Sequence, residues 1–328
     1  MSVVVTANLK NAEVSIIVPA HNAELFIAKC LQSIQHQSFK NFQVLVVENA
    51  STDSTVERVL PFVSADKRFR LLHSPVLGVS NARNLALKEI QSKFVTFVDA
   101  DDCISDNHIQ TLIDSVRDSE SDMGVSGFSY ETESGKVLKE ISVLDTKMSS
   151  DDAIRSSYDF TGIQGLVCNK IFKKSIIDEY DIRFDSSVSK FEDHKFVVAY
   201  LVHCQHVTCK SEITYHYVKH PGSSLFTAKT SLIQDLDVYF EIRKMIVSHG
   251  FKDFREYKEM PLQIIVLYHY WHPLDSRDKA EAAKRMINRK FVSYNFLNNS
   301  IKNRLKFLLA LLTVVPYLIK RKSQNNDA

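Results

Sequence analysis

KFVTFVDADD, residues 93–102, runs a β-branched and aromatic segment straight into three carboxylates, Asp99, Asp101 and Asp102. Anions crowded in this way repel one another, so the fold must answer them with a cation or a dense set of hydrogen bonds. Upstream, VSIIV (14–18), FQVLVVE (42–48) and RFRLLH (68–73) have the same strand-like character. Helical patterns lie between them at about Glu24–Gln37, Thr52–Leu60 and Val79–Ile90. Strand and helix alternating at this spacing predict an α/β fold, a largely parallel sheet flanked by helices, with ligands beyond the carboxyl ends of the strands. The residues at those ends are Pro19-Ala20-His21-Asn22, Glu48-Asn49-Ala50-Ser51, the Gly78–Asn84 segment and the acidic cluster itself. No G-x-G-x-x-G or G-x-x-x-x-G-K-[ST] follows the first strand, which disfavours a dinucleotide site of Rossmann type and a P-loop. An Asp-x-Asp pair holding Mg²⁺ or Mn²⁺ offers another way to hold phosphate, because such ions take one or two carboxylates and fill the rest of their shell with water and phosphate oxygens.

With 328 residues, 45% hydrophobic and 24% charged, the chain can bury a large core. Five cysteines, an odd number, argue for a reducing compartment rather than a disulfide framework, and the N-terminus lacks a signal-peptide pattern, so a cytoplasmic location is expected. The net charge of +2 is unevenly spread: from Lys290 onward seven Lys and Arg face one acid, Asp327, around FLLALLTVVPYLI (307–319). That segment is too short to span a bilayer and contains Pro316, but it suits the cytoplasmic face of an anionic membrane; its plainer use is a C-terminal helix packed on the protein. Basic residues clustered in an apolar tail do not point to nucleic acid.

Several longer stretches carry a family resemblance. VSIIVPAHNAELFIAKCLQSIQHQSFKNFQVLVVENASTDST (14–55), LGVSNARNLAL (77–87) and FVTFVDADD (94–102) resemble the nucleotide-sugar half of the inverting family 2 glycosyltransferases. VCNKIFKKSIIDEYDIRFDSSVSKFEDHKFVVAYL (167–201) resembles their acceptor half, and ITYHYVKHPGSSL (213–225) the segment that closes it. The resemblance implies a GT-A fold over residues 13–226, with a donor half at about 13–125 and an acceptor half at about 126–226. A short extension, 1–12, precedes it, and a mostly helical region, 227–328, follows and ends in the basic tail 290–328.

The resemblance also implies roles. Pro19, His21, Asn22 and Ser51 would line the nucleoside pocket, Glu48 or Asn49 would bond the base, and Arg83 would lie along the donor. Asp99 would contact the nucleoside, and Asp101 would ligate Mn²⁺ or Mg²⁺, joined by Asp102 and by His216 or His220. Asp193, in the Glu192-Asp193 pair, would be the general base. The expected partners are a UDP-sugar and a glycan or lipid-linked acceptor. The family more often has Asp-Asp-Gly where Glu48-Asn49-Ala50 stands here. The Gln-x-x-Arg-Trp signature of processive members is absent, which favours adding one sugar per encounter.

Each residue also has a plainer use. An Asp after a strand caps helices, two acids at a helix start answer its dipole, Arg83 could pair with a surface acid, and Asn22 and Ser51 could form turns. A nucleotidyltransferase, which should carry a Gly-rich loop where PAHN stands, and a scaffold without chemistry are the alternative classes. Four potential zinc ligands in HCQHVTC (203–209) lack the paired, separated spacing of a structural zinc site.

Overall fold

The computed structural model describes residues 12–117, 120–159, 161–220 and 232–251. The expected tail at 290–328 and the apolar stretch MPLQIIVLYHYWH (260–272) lie outside the described residues. The chain divides into two compact units, residues 1–227 and 228–328. The second is described through one helix, α8 (Leu232–Ser248), in the stretch where the apolar periodicity predicts a helix. Among the described residues no helix is long and apolar enough to cross a membrane.

The first unit begins with four parallel strands, β1 (Val14–Ala20), β2 (Phe42–Glu48), β3 (Phe69–His73) and β4 (Phe94–Phe97), linked by helices α1 (Ile27–Gln35), α2 (Thr55–Ala65) and α3 (Val79–Glu89). β1 and β2 are buried almost without interruption, as a parallel strand covered on both faces requires. Val14, Ile16 and Val18 pack with Ile27, Cys30, Leu31 and Ile34, the i, i+3, i+4, i+7 face of α1. α2 runs on to Ala65, beyond its expected end at Leu60. Pro61 lies inside it on the exposed side, where the missing N–H costs one hydrogen bond, and the buried Val63 keeps the following turn on the core.

After β4 come β5 (Cys103–Ile104), α4 (His108–Arg117), β6 (Met123–Thr132), β7 (Val137–Ile141), β8 (Thr146–Ser149), α5 (Ser150–Ser157), β9 (Lys170–Lys173), α6 (Lys174–Glu179), α7 (Glu192–Leu201) and β10 (His206–Lys219). The sheet order is β3-β2-β1-β4-β9-β6-β10-β5, with β7 on β6 and β8 on β10. The sheet is therefore mixed: β9 runs antiparallel to β4 and to β6, so the parallel donor half is extended by a differently wired acceptor half. That join places the carboxyl end of β4, with its acids, beside the segment leading into α7. Phe97 on β4, Phe172 on β9 and Phe184, Phe196 and Tyr200 around α7 form an aromatic cluster under it, with Phe184 and Phe196 stacked at 4.1 Å. Asn84 of α3 both donates to and accepts from the backbone of Phe184, at 2.7 and 2.9 Å, which fastens the two halves together.

Candidate active site

The loops after the four parallel strands meet, as the topology requires. Nδ1 of His21 lies 2.7 Å from the carbonyl of Asn49, so Nδ1 carries the hydrogen and Nε2 is left as the acceptor. Asn22, in the left-handed region at φ 48°, accepts from the backbone N–H of Thr52, and its own N–H donates to the Ser51 hydroxyl. Pro19 is half-buried in the last turn of β1, opposite Val47. The loop after β1 is thus laced to the loop after β2.

Glu48 and Asn49 are committed to shaping that second loop. Glu48 accepts from the N–H of Ser51 and pairs with Nδ1 of His73 at 3.0 Å; burial opposes its charge, but these bonds hold its carboxyl below the usual range. Asn49, 2% exposed, donates to the carbonyl of Val76 and accepts from the N–H of Gly78, which fixes the entry to α3. Neither side chain stands open toward a base, so the expectation that one of them reads the base gives way to one in which they build the wall beside it. Ala50 sits at φ 58°, a conformation suited to the glycine more common there and costing an L-residue roughly 1–2 kcal/mol.

Arg83 is the centre of the site. It lies on the buried face of α3, over the rings of Phe184 and Phe97, and its side chain is 3% exposed. One guanidinium nitrogen donates to Asp99 at 2.8 Å and another to Asp193 at 2.5 Å, with Glu192 3.9 Å away. It lies beneath two carboxylates, one from each half. Burial opposes its charge, yet Asp193, Asp99 and Glu192 together hold the proton more firmly than usual.

Glu192 and Asp193 open α7, where the helix dipole favours negative charge. The residue before them, Phe191, has φ 64°, an outlier for a bulky side chain and a local strain that sets the direction in which the pair leaves the chain. Burial, then the neighbouring Asp193 charge, pushes the Glu192 carboxyl up to about 7. Burial also raises Asp193, against the pull of Arg83 and an N–H bond from Val167. A carboxylate raised in this way is a better proton acceptor than a solvated one while still able to ionise near neutrality.

The acidic loop divides its labour. Asp102 is 2% exposed; one oxygen accepts from the Tyr215 hydroxyl at 2.5 Å and the other from the N–H of Val218 at 2.8 Å. Tyr215 also accepts from the N–H of Asp99. Asp102 is therefore turned inward and fastens β10 to the loop, a different task from the metal ligation expected of it. Burial and the charges of Asp101 and Asp99 raise its pKa well above the usual range, and the two hydrogen bonds answer that cost. Replacing Tyr215 by Phe takes one donor from this buried carboxyl, and we expect a loss of about 1–3 kcal/mol in urea unfolding.

Asp101 faces outward, half-buried, and meets Nε2 of His220 at 2.8 Å; the imidazole lies against Phe26, ring centres 4.4 Å apart. Burial and the charge of Asp99 raise Asp101. His216 stands elsewhere: adjacent residues of a strand point to opposite faces, and while Tyr215 reaches Asp102, His216 is held by Ser105 and Glu131. Of the two histidines expected near the metal, only His220 meets Asp101. Among the described residues no three His, Cys, Asp or Glu side chains converge to hold a metal on their own. The residues would still fit a hard divalent cation, because Asp101 keeps a partly exposed carboxylate and such an ion can be held by one or two protein carboxylates.

The profile of Glycosyl transferase family 2 matches residues 15–180, and the chain belongs to that family. The EpsH protein of Bacillus subtilis is 23% identical over 267 residues, 79% of this chain and 76% of that protein. Poly(ribitol-phosphate) beta-N-acetylglucosaminyltransferase TarS of Staphylococcus aureus is 26% identical over 243 residues, 71% of this chain but 39% of that protein. The crystal structure of S. aureus TarS 1–349 in complex with UDP-GlcNAc superimposes with a TM-score of 0.60 at 20% identity, covering 93% of this chain and 81% of that one, which shows a shared fold.

Proposed function

We propose that this family 2 glycosyltransferase moves a sugar from a UDP-sugar to a hydroxyl of a cell-surface glycan or glycolipid, one residue at a time and with inversion at the anomeric carbon. The observation that carries this reading is the Arg83 bridge from Asp99 to Asp193, at 2.8 and 2.5 Å, which ties the end of a nucleotide-facing strand to a raised carboxylate of the acceptor half. A scaffold without chemistry would have no use for two acids held against repulsion in this way.

The chain's own residues suggest the division of work. His21, with its tautomer fixed by Asn49, and the Asn22–Ser51 lacing form the floor on which the nucleoside lies, and Asp99 stands at its edge. Asp193 takes the proton from the acceptor hydroxyl as that oxygen attacks the anomeric carbon from the side opposite the departing diphosphate. Arg83 holds Asp193 and Asp99 at a fixed spacing, so that base and donor meet already oriented. Asp101, with His220 beside it, would hold Mg²⁺ or Mn²⁺, whose positive charge offsets the charge of the departing nucleoside diphosphate. That a relative is named for transfer of N-acetylglucosamine, and is solved with UDP-GlcNAc, makes this the first donor to try. The basic, apolar tail fits attachment at the inner membrane face, where lipid-linked acceptors are found.

The test is calorimetric titration of UDP with Mn²⁺ present, then with chelator, on the wild-type chain and on Asp101→Ala. We expect chelation and Asp101→Ala to weaken UDP binding about tenfold or more, with neither adding to the other. Equal affinity under all four conditions would overturn the metal assignment.

A further inference from the structure

Lys170 opens β9 with its side chain fully buried, 0% exposed. Its ammonium donates to the carbonyl of Ile163 at 2.7 Å and to Oδ1 of Asn169 at 2.9 Å. Asn169 is itself fixed, its amide donating to the carbonyl of Ser126 at 2.6 Å and its own carbonyl accepting from the Ser126 N–H. The lysine thus reaches back seven residues and closes the segment 163–170 into a ring.

That ring is seated against the start of α7, one residue beyond Asp193. Gly165 lies so close to the next side chain, His194, that an added Cβ would come within 2.4 Å of its ring. His194 is held from its other side by the Ser157 hydroxyl at 3.0 Å and by Tyr158. A buried ammonium is a costly device for holding a loop, since an apolar residue of similar length could fill the volume without giving up the hydration of a charge. Burial in fact pulls this lysine down to about 8, and Asp193 is among the anions that hold its proton on.

We propose that Lys170 is a positioning residue for transfer: through the 163–170 ring it seats Gly165 against His194 at the start of α7 and so keeps the adjacent Asp193 carboxylate in line with the acceptor hydroxyl. The proposal rests on Asp193 as the general base. It assigns Lys170 no contact with donor or acceptor. Arg83 thereby fixes Asp193 from the donor side and the lysine ring fixes it from the other.

A role in folding alone and a role in positioning predict different results. UDP-GlcNAc hydrolysis, with water in place of the acceptor hydroxyl, UDP affinity and thermal midpoint are compared for the wild-type chain, Lys170→Met and Lys170→Gln, the last keeping a donor for the Ile163 carbonyl without the charge. We expect kcat to fall about ten- to a hundredfold in Lys170→Met, as a small misplacement of a reacting group commonly does, with UDP affinity within twofold of wild type. Lys170→Gln should recover part of kcat. Hydrolysis within twofold of wild type in both variants would overturn the proposal. So would a fall in midpoint and UDP affinity together with kcat in both, the mark of a merely structural lysine. A wild-type chain that cleaves no UDP-sugar would instead remove the reading on which the proposal rests, an outcome seen before any variant is compared.

Discussion

Replacing Asp193 by Asn should lower transfer by about 10²–10⁴ while leaving UDP affinity within a few-fold of wild type, because a general base is needed only as the acceptor proton leaves. The substitution keeps the shape of the side chain and an oxygen to accept from Arg83, so an unchanged UDP affinity separates the lost proton acceptor from a collapsed clamp. The pH profile carries a second signature. Glu192 is pushed up to about 7 and Asp193 is also raised, so both hold protons longer in the folded chain than in the unfolded one. Their contribution to stability is therefore present in acid and fades with rising pH, for Glu192 through about 7, whereas transfer needs Asp193 ionised and so rises with pH. Burial and the charge already on Asp193 raise Glu192, so it is uncharged while Asp193 ionises, and Glu192→Gln should leave the acidic limb of the rate profile in place. A limb that moves to lower pH would show that Glu192 carries charge as Asp193 titrates.

Removing the clamp should be the most costly single change to the fold. Arg83→Met leaves Asp99 and Asp193 facing one another without the cation between them, and breaking a buried pair by deleting one partner typically costs about 3–5 kcal/mol. The carboxylates keep some access to solvent, at 27% and 19%, which places the expected loss toward the lower end of that range. Arg83→Lys should recover little, since one ammonium on a flexible stem does not reproduce a planar fork spanning two carboxylates. Urea unfolding checks both variants. A loss below about 1 kcal/mol for Arg83→Met would place the bridge among ordinary surface ion pairs.

The fold was legible where burial imposes a period. β1 and β2 read as strands because parallel strands covered on both faces must be apolar throughout, and α1 because its buried positions recur at helical spacing. The antiparallel insertion of β9 between β4 and β6 was not legible, since strand order depends on contacts between residues about 45 to 79 apart in sequence. At the site, residue types pointed to the right loops, but not to which side chains face the ligand. Asp101 and Asp102 are neighbours in sequence, yet one faces out and the other is consumed by Tyr215 and Val218. Asn49 is spent on the turn it shapes, and Arg83 on the acids it joins. Lys170 and Gly165 went unread because a lysine within an apolar run resembles a strand end. The signal was there in the Asn169-Lys170 pair, two polar residues set between the apolar Val167-Cys168 and Ile171-Phe172.

The measurement that bears most directly on the central claim is a proton NMR time course of UDP-sugar hydrolysis by the wild-type chain with Mn²⁺, run over a small panel that begins with UDP-GlcNAc. Family membership and the Arg83-bridged acids together predict release of UDP from one donor, with the β-anomer of the sugar appearing first, as inversion of an α-linked donor requires. Release of the α-anomer first, or no cleavage of any UDP-sugar in the panel, would contradict the account.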